Sequence, residues 1–348
     1  MQTGVGLSTR RVYNISITEM IQQTPEEIFR VTDIHSFEEL ALEIFRFQAD
    51  TCPVYREYIK LLGTGPGSVS GIMDIPFMPA SFFRDHLIIS GGGEAEKVFI
   101  SSGTSGMRQS RHAVKSLSVY DGSLAIAFRQ FYGDPAQYAV MGLLPSYLER
   151  EGSSLIYMVN KLMELSGNGH GGFFLNEYDA LLNAAGEARA DGLKVLLFGV
   201  TFALLDLAEK HPCDMSDVII IETGGMKGRR HEMIREELHN ILKNAFGVKA
   251  VHSEYGMTEL LSQAYSSVDG LFLTPPWMKV LIRDSHDPSS HSAEEGAAGG
   301  ISIIDLANIF SCSFIATSDL GLMHTDGSFE VLGRFDDADI RGCSLLVS

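Results

Sequence analysis

Short apolar runs alternate with stretches of helical periodicity through the middle of this chain. Apolar residues three and four positions apart predict an amphipathic helix over Arg229–Phe246. The apolar runs have the length of buried strands, and buried strands that alternate with helices are typical of a largely parallel α/β sheet. The five predicted strands are Val98–Ile100, Ala139–Leu144, Val195–Phe198, Val218–Ile221 and Val248–Val251.

The two ends of the chain carry different patterns. Residues 1–95 show helical periodicity without the alternation of a strand, which predicts a helical N-terminal segment. After residue 270, shorter strand candidates bounded by Gly, Pro and Asp predict a small β-rich subdomain. The polar stretch Asp284–Gly300 is predicted to be an exposed loop. The predicted strands of the subdomain are Met278–Ile282, Gly300–Ile304 and Phe329–Leu332.

These patterns divide the chain into four predicted parts of an α/β fold. They are a helical N-terminal segment (1–95), an α/β core (96–270), a β-rich subdomain (271–335) and a C-terminal tail (336–348) that carries Cys343. With 348 residues, the chain is long enough for one large domain or two modest ones.

Composition and charge narrow the class of protein. The formal net charge of −17 argues against a nucleic-acid partner, which needs a basic surface. The four cysteines form no CxxC pair, which argues against a zinc ribbon and fits a reducing compartment. The N-terminus lacks the apolar core of a signal peptide, and the longest apolar run, Val195–Leu207, is too short to span a bilayer. We therefore expect a cytoplasmic protein without a membrane span.

A run of small and hydroxyl residues follows the first predicted strand and precedes a predicted helix. Small residues let the backbone approach a phosphate, and hydroxyl groups add donors without steric cost. The alternative is an ordinary Ser/Gly turn, and the run is not a Walker loop because no GxxxxGK[ST] motif is present. The candidate phosphate-binding residues are Ser101, Ser102, Gly103, Thr104, Ser105 and Gly106.

A second candidate site follows the apolar run Val248–Val251, at the carboxyl end of that predicted strand. Ligands of open α/β sheets bind at such ends. Glu259 could hold a hard cation there, and Thr258 could donate to a phosphate. The alternative is an ordinary helix start. The motif consists of Tyr255, Gly256, Met257, Thr258 and Glu259.

A third candidate site lies in the β-rich subdomain. Asp319 could accept hydrogen bonds from ribose hydroxyls and Arg334 could donate to them, although two turns around a hairpin explain the same residues.

Gly167–Gly172 matches GxGxxG, but it follows a helix-like stretch instead of a strand, which argues against a dinucleotide site. His112 and His170 are predicted to be solvated.

In order and spacing, these motifs resemble the adenylate-forming superfamily of acyl-CoA synthetases. SSGTSG is similar to its phosphate loop, YGMTE to its second core motif, and TSD and GRFD to its ribose-binding motifs. The turn Thr223-Gly224-Gly225 lies where the superfamily places an adenine-binding Gly-Gly pair.

Within the superfamily, the chain from about residue 20 to its end resembles the LuxE acyl-protein synthetases. The stretches that carry this resemblance are Ile75–Pro79 with Phe82-Phe83, Leu143–Tyr147, Gly171–Phe174 and Asp339–Leu346.

The resemblance implies an activity and two departures from the superfamily. ATP and Mg²⁺, with the metal on Glu259, would convert a fatty or other carboxylic acid to acyl-AMP. The acyl group would then pass to Cys343 for delivery to a reductase protein. The phosphate loop lacks its usual Lys, since Met107-Arg108-Gln109-Ser110 follows Gly106. The C-terminal lid domain with its catalytic Lys has no counterpart, so a partner protein could supply that charge.

Three alternatives remain open at this point. Coenzyme A could replace Cys343 as the acyl acceptor, as in aryl-CoA ligases. The chain could be a nucleotide-binding subunit of a reductase complex without turnover. Cys343 could also be a small buried apolar residue, since Leu345, Leu346 and Val347 follow it.

Overall fold

The computed structural model describes residues 24–102, 108–144, 152–224, 233–268, 270–284, 287 and 289–335. These residues form two six-stranded sheets, one two-stranded sheet and the helices that pack on them.

One six-stranded sheet is largely parallel. Its strands are β4 (Tyr138–Leu143), β5 (Gly172–Phe174), β6 (Lys194–Gly199), β7 (Ile219–Glu222), β8 (His252–Tyr255) and β9 (Ala264–Ser266). They lie in the order β5-β4-β6-β7-β8-β9, where the β8–β9 pair is antiparallel and the other neighbours are parallel. All six residues of β4 are buried, as expected for a strand inside a parallel sheet.

The second six-stranded sheet is mainly antiparallel. Its strands are β1 (Met78–Pro79), β10 (Met278–Arg283), β11 (His291–Ser292), β12 (Ala298–Asp305), β13 (Phe314–Met323) and β14 (Phe329–Arg334). They lie in the order β1-β13-β12-β10-β11, and β14 also pairs with β13. A separate antiparallel ribbon is formed by β2 (Lys97–Ile100) and β3 (Arg111–Val114).

Several helices begin and end at residues with the expected chemistry. The Asp33 carboxylate accepts from the Ser36 N–H at 2.9 Å and caps the helix Ile34–Thr51. Gly167, which has a left-handed φ of 63°, ends the helix Ser154–Ser166. No helix in these parts of the chain is long and apolar enough to cross a membrane. The helices are α1 (Ile34–Thr51), α2 (Pro53–Leu61), α3 (Phe82–Asp85), α4 (Leu117–Tyr132), α5 (Ser154–Ser166), α6 (Tyr178–Ala190), α7 (Thr201–Lys210) and α8 (Arg235–Phe246).

The predicted α/β fold with a largely parallel sheet is confirmed, and three of the five predicted core strands lie in that sheet as β4, β6 and β7. Val98–Ile100 is a strand, but it pairs antiparallel with β3 in the separate ribbon, and Val98 is exposed. The prediction for Val248–Val251 is wrong, because β8 begins at His252. Val248 and Val251 are buried ahead of the strand, so their apolar character reflects packing instead of sheet pairing. The predicted helix over Arg229–Phe246 begins at Arg235, and residues 229–232 lie outside the described residues.

Three further predictions need correction. The candidate phosphate loop was expected to precede a helix, but the strand β3 follows it. Arg111 of β3 pairs with Ile100 of β2, so the loop joins two antiparallel strands. The stretch Asp284–Gly300 is not wholly a loop, since β11 pairs with the end of β10 and β12 begins at Ala298. The ten-residue strand β13 was missed altogether.

A buried glutamine joins the N-terminal helices to the antiparallel sheet. Gln48 of α1 is fully buried, and its Nε2 donates to the carbonyl oxygens of Asn308 (3.0 Å) and Ile309 (2.9 Å). Its Oε1 accepts from the Ser313 N–H at 2.9 Å. These groups belong to the connection between β12 and β13, so one side chain fixes the position of α1 against that connection.

Replacing this side chain tests the anchor. Gln48→Leu keeps the size but removes the hydrogen-bond partner of the Ser313 N–H and of the Ile309 carbonyl group, whereas the Asn308 carbonyl still accepts from the Ser311 N–H. The loss should lower the free energy of unfolding by roughly 2–4 kcal/mol. Urea unfolding measures the change. The control Glu39→Gln, on the exposed side of the same helix, should change stability by less than about 0.5 kcal/mol. Equal stabilities for Gln48→Leu and the wild type would contradict the role of this anchor.

Candidate functional site

Glu259 is a buried carboxylate beside the end of the candidate phosphate loop. It is 6% exposed, and burial raises its pKa. A hydrogen bond from the Ser110 side chain and the positive charge of Arg334 oppose this rise, whereas the charge of Asp319 adds to it. Residues from three distant segments therefore meet around one carboxyl group.

Asp319 and Arg334 face each other across the β13–β14 pair. They are direct partners in the register, and Arg334 Nε lies 3.3 Å from Asp319 Oδ1. The Tyr255 hydroxyl donates to Asp319 Oδ2 at 2.7 Å. Burial raises the pKa of Asp319, and its contacts with Tyr255 and Arg334 counteract the rise. Asp319 thus lies within a strand of the hairpin and not in a turn, and Arg334 remains largely exposed.

The two ends of the candidate phosphate loop are joined by hydrogen bonds. The Ser101 N–H donates to the Ser110 carbonyl (3.0 Å), and the Ser110 N–H donates to Ser101 Oγ (2.9 Å). Ser101 and Ser102 are half-buried, while Gly103–Gly106 lie outside the described residues. Arg108 forms an exposed ion pair with Asp85 at 3.1 Å, and such pairs contribute little to stability.

The candidate adenine turn begins at Gly224, which has a left-handed φ of 74°. Its N–H donates to Glu222 Oε1 at 2.7 Å, and the Thr201 hydroxyl donates to the same oxygen at 2.6 Å. Gly225 lies outside the described residues. In the YGMTE motif, Gly256 is exposed, whereas Met257 and Thr258 are half-buried.

His112 is a site residue that the sequence did not reveal. The prediction that it is solvated is wrong, because it is fully buried. Its Nδ1 lies 2.8 Å from the Thr258 carbonyl oxygen and must donate to it, while Nε2 lies 3.0 Å from the Ser311 hydroxyl and accepts. Burial lowers the pKa of His112 to about 4, so the ring is neutral near pH 7. The sequence signal that could have placed His112 near the site was its position two residues after Ser110, at the end of the candidate phosphate loop.

Two more buried side chains hold the backbone around Glu259. Asn308 Nδ2 donates to the Glu259 carbonyl oxygen at 2.8 Å. Asp305 Oδ2 accepts from the N–H groups of Leu261 (2.9 Å) and Ser262 (3.0 Å), and burial raises its pKa to about 6. A polar residue at the end of the apolar strand β12 was the sequence signal for Asp305.

The structure brings together part of the predicted site. The predicted residues Tyr255, Glu259, Asp319 and Arg334 lie in one region together with Ser110, which was not predicted. The Gly224 turn follows the neighbouring strand β7. Cys343 lies outside the described residues, so its position relative to this region stays a prediction.

The family model described as "Acyl-protein synthetase, LuxE" matches residues 20–348. The chain belongs to this family. No curated protein matches the sequence.

Solved structures are similar to this LuxE family member to different degrees. A 2-hydroxyisobutyryl-CoA ligase in its postadenylation state is 12% identical, with a TM-score of 0.62 over 86% of this chain and 67% of that chain. A malonyl-CoA ligase with methylmalonyl-CoA and AMP is 18% identical, with a TM-score of 0.47 over 70% of this chain and 54% of that one. The O-succinylbenzoate coenzyme A synthetase of Bacillus subtilis with AMP is 15% identical, with a TM-score of 0.46 over 68% and 49%.

These comparisons confirm the fold of an adenylate-forming enzyme through the first of these structures. The chain spans about half to two thirds of the length of the three ligases.

The donor set of this LuxE-family site suits Mg²⁺ bound together with a nucleotide. Among the described residues, no three His, Cys, Asp or Glu side chains are grouped so that they could hold a metal ion. Mg²⁺ usually keeps several waters and takes one or two carboxylates plus substrate phosphates. Glu259 supplies one buried carboxylate beside the phosphate-loop end, which fits that coordination.

The buried His112 predicts a specific pH dependence of stability. Its folded pKa lies below the ordinary value of 6.5, so between about pH 6.5 and pH 4 the unfolded chain binds more protons than the folded one. The contribution of this residue to the free energy of unfolding is therefore complete above about pH 6.5. It decreases as the pH is lowered and is smaller by roughly 3 kcal/mol at pH 4. Urea unfolding of His112→Phe should show a lower stability at pH 7 but a shallower loss on acidification.

The exposed His35 gives the matched control. His35→Gln should keep the wild-type acid slope, because that side chain is 80% exposed. An acid slope in His112→Phe as steep as in the wild type would show that another group controls it.

Proposed function

We propose that this chain activates a carboxylic acid with ATP, forming acyl-AMP and releasing pyrophosphate. The observation that carries the proposal is the meeting of Glu259, Asp319 and Arg334 beside Ser110. These residues come from the end of the phosphate loop, the YGMTE motif and the β13–β14 hairpin. An isolated hairpin or helix start gives no reason for them to converge.

Each group in this region has a role that suits a nucleotide. Asp319 would accept from the ribose hydroxyls, with Tyr255 and Arg334 fixing its carboxylate. The Gly224 turn would lie against adenine, and Ser101–Gly106 would surround the phosphates, with Thr258 as a further donor. When bound at Glu259, Mg²⁺ offsets the repulsion between a carboxylate and the phosphates and stabilises the leaving pyrophosphate.

The acyl acceptor in this proposal is Cys343. Its thiolate would attack the acyl carbon of acyl-AMP, a thioester would form, and AMP would leave. The described cysteines are less suited, because burial raises the thiol pKa of Cys52, Cys213 and Cys312. A reductase protein would then receive the acyl group, and the acid would be a fatty acid, as the resemblance to the LuxE acyl-protein synthetases implies.

Removing the charge of Glu259 tests the activation step. Glu259→Gln should keep the fold but lower acid-dependent ATP–pyrophosphate exchange by roughly a hundredfold or more, because an amide cannot balance a divalent cation. Calorimetry should show that the Mg²⁺-dependent part of ATP binding is lost as well. The exposed Glu236→Gln is the control and should exchange like the wild type. Unchanged exchange in a folded Glu259→Gln variant would remove Glu259 from the mechanism.

Labelling tests the acceptor. Incubation with ATP, Mg²⁺ and labelled fatty acid should label the protein, and hydroxylamine should remove the label. Cys343→Ser should abolish the label while pyrophosphate exchange continues, and Cys213→Ser should behave like the wild type. A hydroxylamine-labile label that persists in Cys343→Ser would rule out this thiol. Product formation only with added coenzyme A would favour a coenzyme A ligase, and ATP binding without exchange would favour a subunit without turnover.

A further inference from the structure

The carboxyl ends of β6 and β7 are joined by hydrogen bonds that continue past the strands. Gly199 and Glu222 are partners in the register of these parallel strands. Beyond this pair, the Thr223 N–H donates to the Gly199 carbonyl at 3.1 Å, and the Thr201 N–H donates to the Gly224 carbonyl at 3.4 Å. The candidate adenine turn therefore lies against the chain that leaves β6 and enters α7.

Two buried side chains complete this junction. Glu222 is 6% exposed and Thr201 is 4% exposed. The Thr201 hydroxyl donates to Glu222 Oε1 at 2.6 Å, and the Gly224 N–H donates to the same oxygen at 2.7 Å. One carboxylate oxygen thus links the turn to the first residue of α7. Hydrogen bonds to a carboxylate are roughly twice as strong as those between neutral groups, so these two contacts are the strongest of the junction.

Gly224 depends on such contacts for its conformation. Its φ of 74° lies in the left-handed region, where the chain turns away from the sheet. Glycine populates this region and the ordinary regions about equally well, so the residue type does not fix the turn by itself. The Glu222 carboxylate, which accepts from the Gly224 N–H, favours this one conformation over the others.

The turn also carries a polar atom that still needs a partner. Thr223 Oγ1 is buried and has no hydrogen-bond partner among the described residues. Native proteins usually satisfy such an atom with water or a ligand. Thr223 lies between Glu222 and Gly224 in the chain, so this atom belongs to the turn itself. Adenine has an amino donor and ring-nitrogen acceptors on its edge, and either can pair with a hydroxyl group.

We propose that Glu222 and Thr201 are positioning residues that hold the Gly224 turn in the conformation that receives the adenine base. The inference rests on the proposed ATP-dependent activation and adds what sets the affinity for the nucleotide. If the turn without these contacts adopted the receiving conformation about a tenth of the time, ATP affinity would fall about tenfold. Because the turn contacts the base and not the reacting phosphate, the KM for ATP should change while kcat does not.

Removing one hydroxyl group tests this inference. Thr201→Val keeps the shape of the side chain but cannot donate to Glu222 Oε1. In ATP–pyrophosphate exchange it should raise the KM for ATP by about tenfold, while kcat and the KM for pyrophosphate stay within about twofold. Thr201→Ser restores the hydroxyl group and should bring the KM for ATP to within about threefold of the wild-type value. Thermal unfolding shows whether each variant is folded.

A second variant and a control complete the experiment. Glu222→Gln keeps an acceptor oxygen without the charge and should raise the KM for ATP by about threefold. The exposed Thr325→Val should keep the wild-type constants. A wild-type KM for ATP in folded Thr201→Val, a joint rise of the KM values for ATP and pyrophosphate, or a Thr201→Ser variant as impaired as Thr201→Val overturns the inference. If Thr201→Val does not fold, Glu222→Gln decides by its own expected KM.

Direct binding separates this inference from the proposed activation. If no acid supports exchange, the activation proposal fails, and calorimetry with ATP and Mg²⁺ decides on the turn alone. ATP binding that is about tenfold weaker in Thr201→Val and is restored in Thr201→Ser supports the positioning role. Equal affinities in the wild type and Thr201→Val, or no ATP binding by the wild type, overturn it.

Discussion

Glu259 is placed by buried hydrogen bonds that converge on the backbone around it. Asp305 holds the N–H groups of Leu261 and Ser262, Asn308 holds the Glu259 carbonyl, and His112 holds the Thr258 carbonyl. Burial of these side chains is tolerated because each makes at least one hydrogen bond, although Asn308 Oδ1 accepts none from the described residues. The peptide geometry around the carboxylate is therefore fixed by the protein before any ligand arrives, which is the condition for electrostatic preorganisation.

This constraint extends to the N-terminal helices. Asn308 belongs to the connection between β12 and β13, and Ser311 of the same connection donates to His112. Gln48 of α1 contacts that connection on Asn308, Ile309 and Ser313. A shift of α1 would consequently reach Glu259 through two successive hydrogen bonds. The helical segment, which offers no site residue of its own in our proposal, thus takes part in positioning the site.

The sequence predicted the fold class, three strands of the parallel sheet and four of the residues that meet in the candidate region, because apolar periodicity and motif order are local signals. The strand β13 escaped prediction because Ser318, Asp319 and Gly321 interrupt its apolar pattern where the chain faces the candidate ligand. His112 escaped for a different reason. Its burial depends on contacts with Thr258 and Ser311, which lie more than a hundred residues away in sequence. Such burial has no periodic signature.

The charge of the site favours ligands that bring positive charge with them. Burial raises the pKa of Glu254, Glu259 and Asp319, which shows that ionisation of each is opposed, and Arg334 is largely exposed. A nucleotide without its metal would add negative charge to this region, whereas Mg²⁺ bound with it offsets that charge.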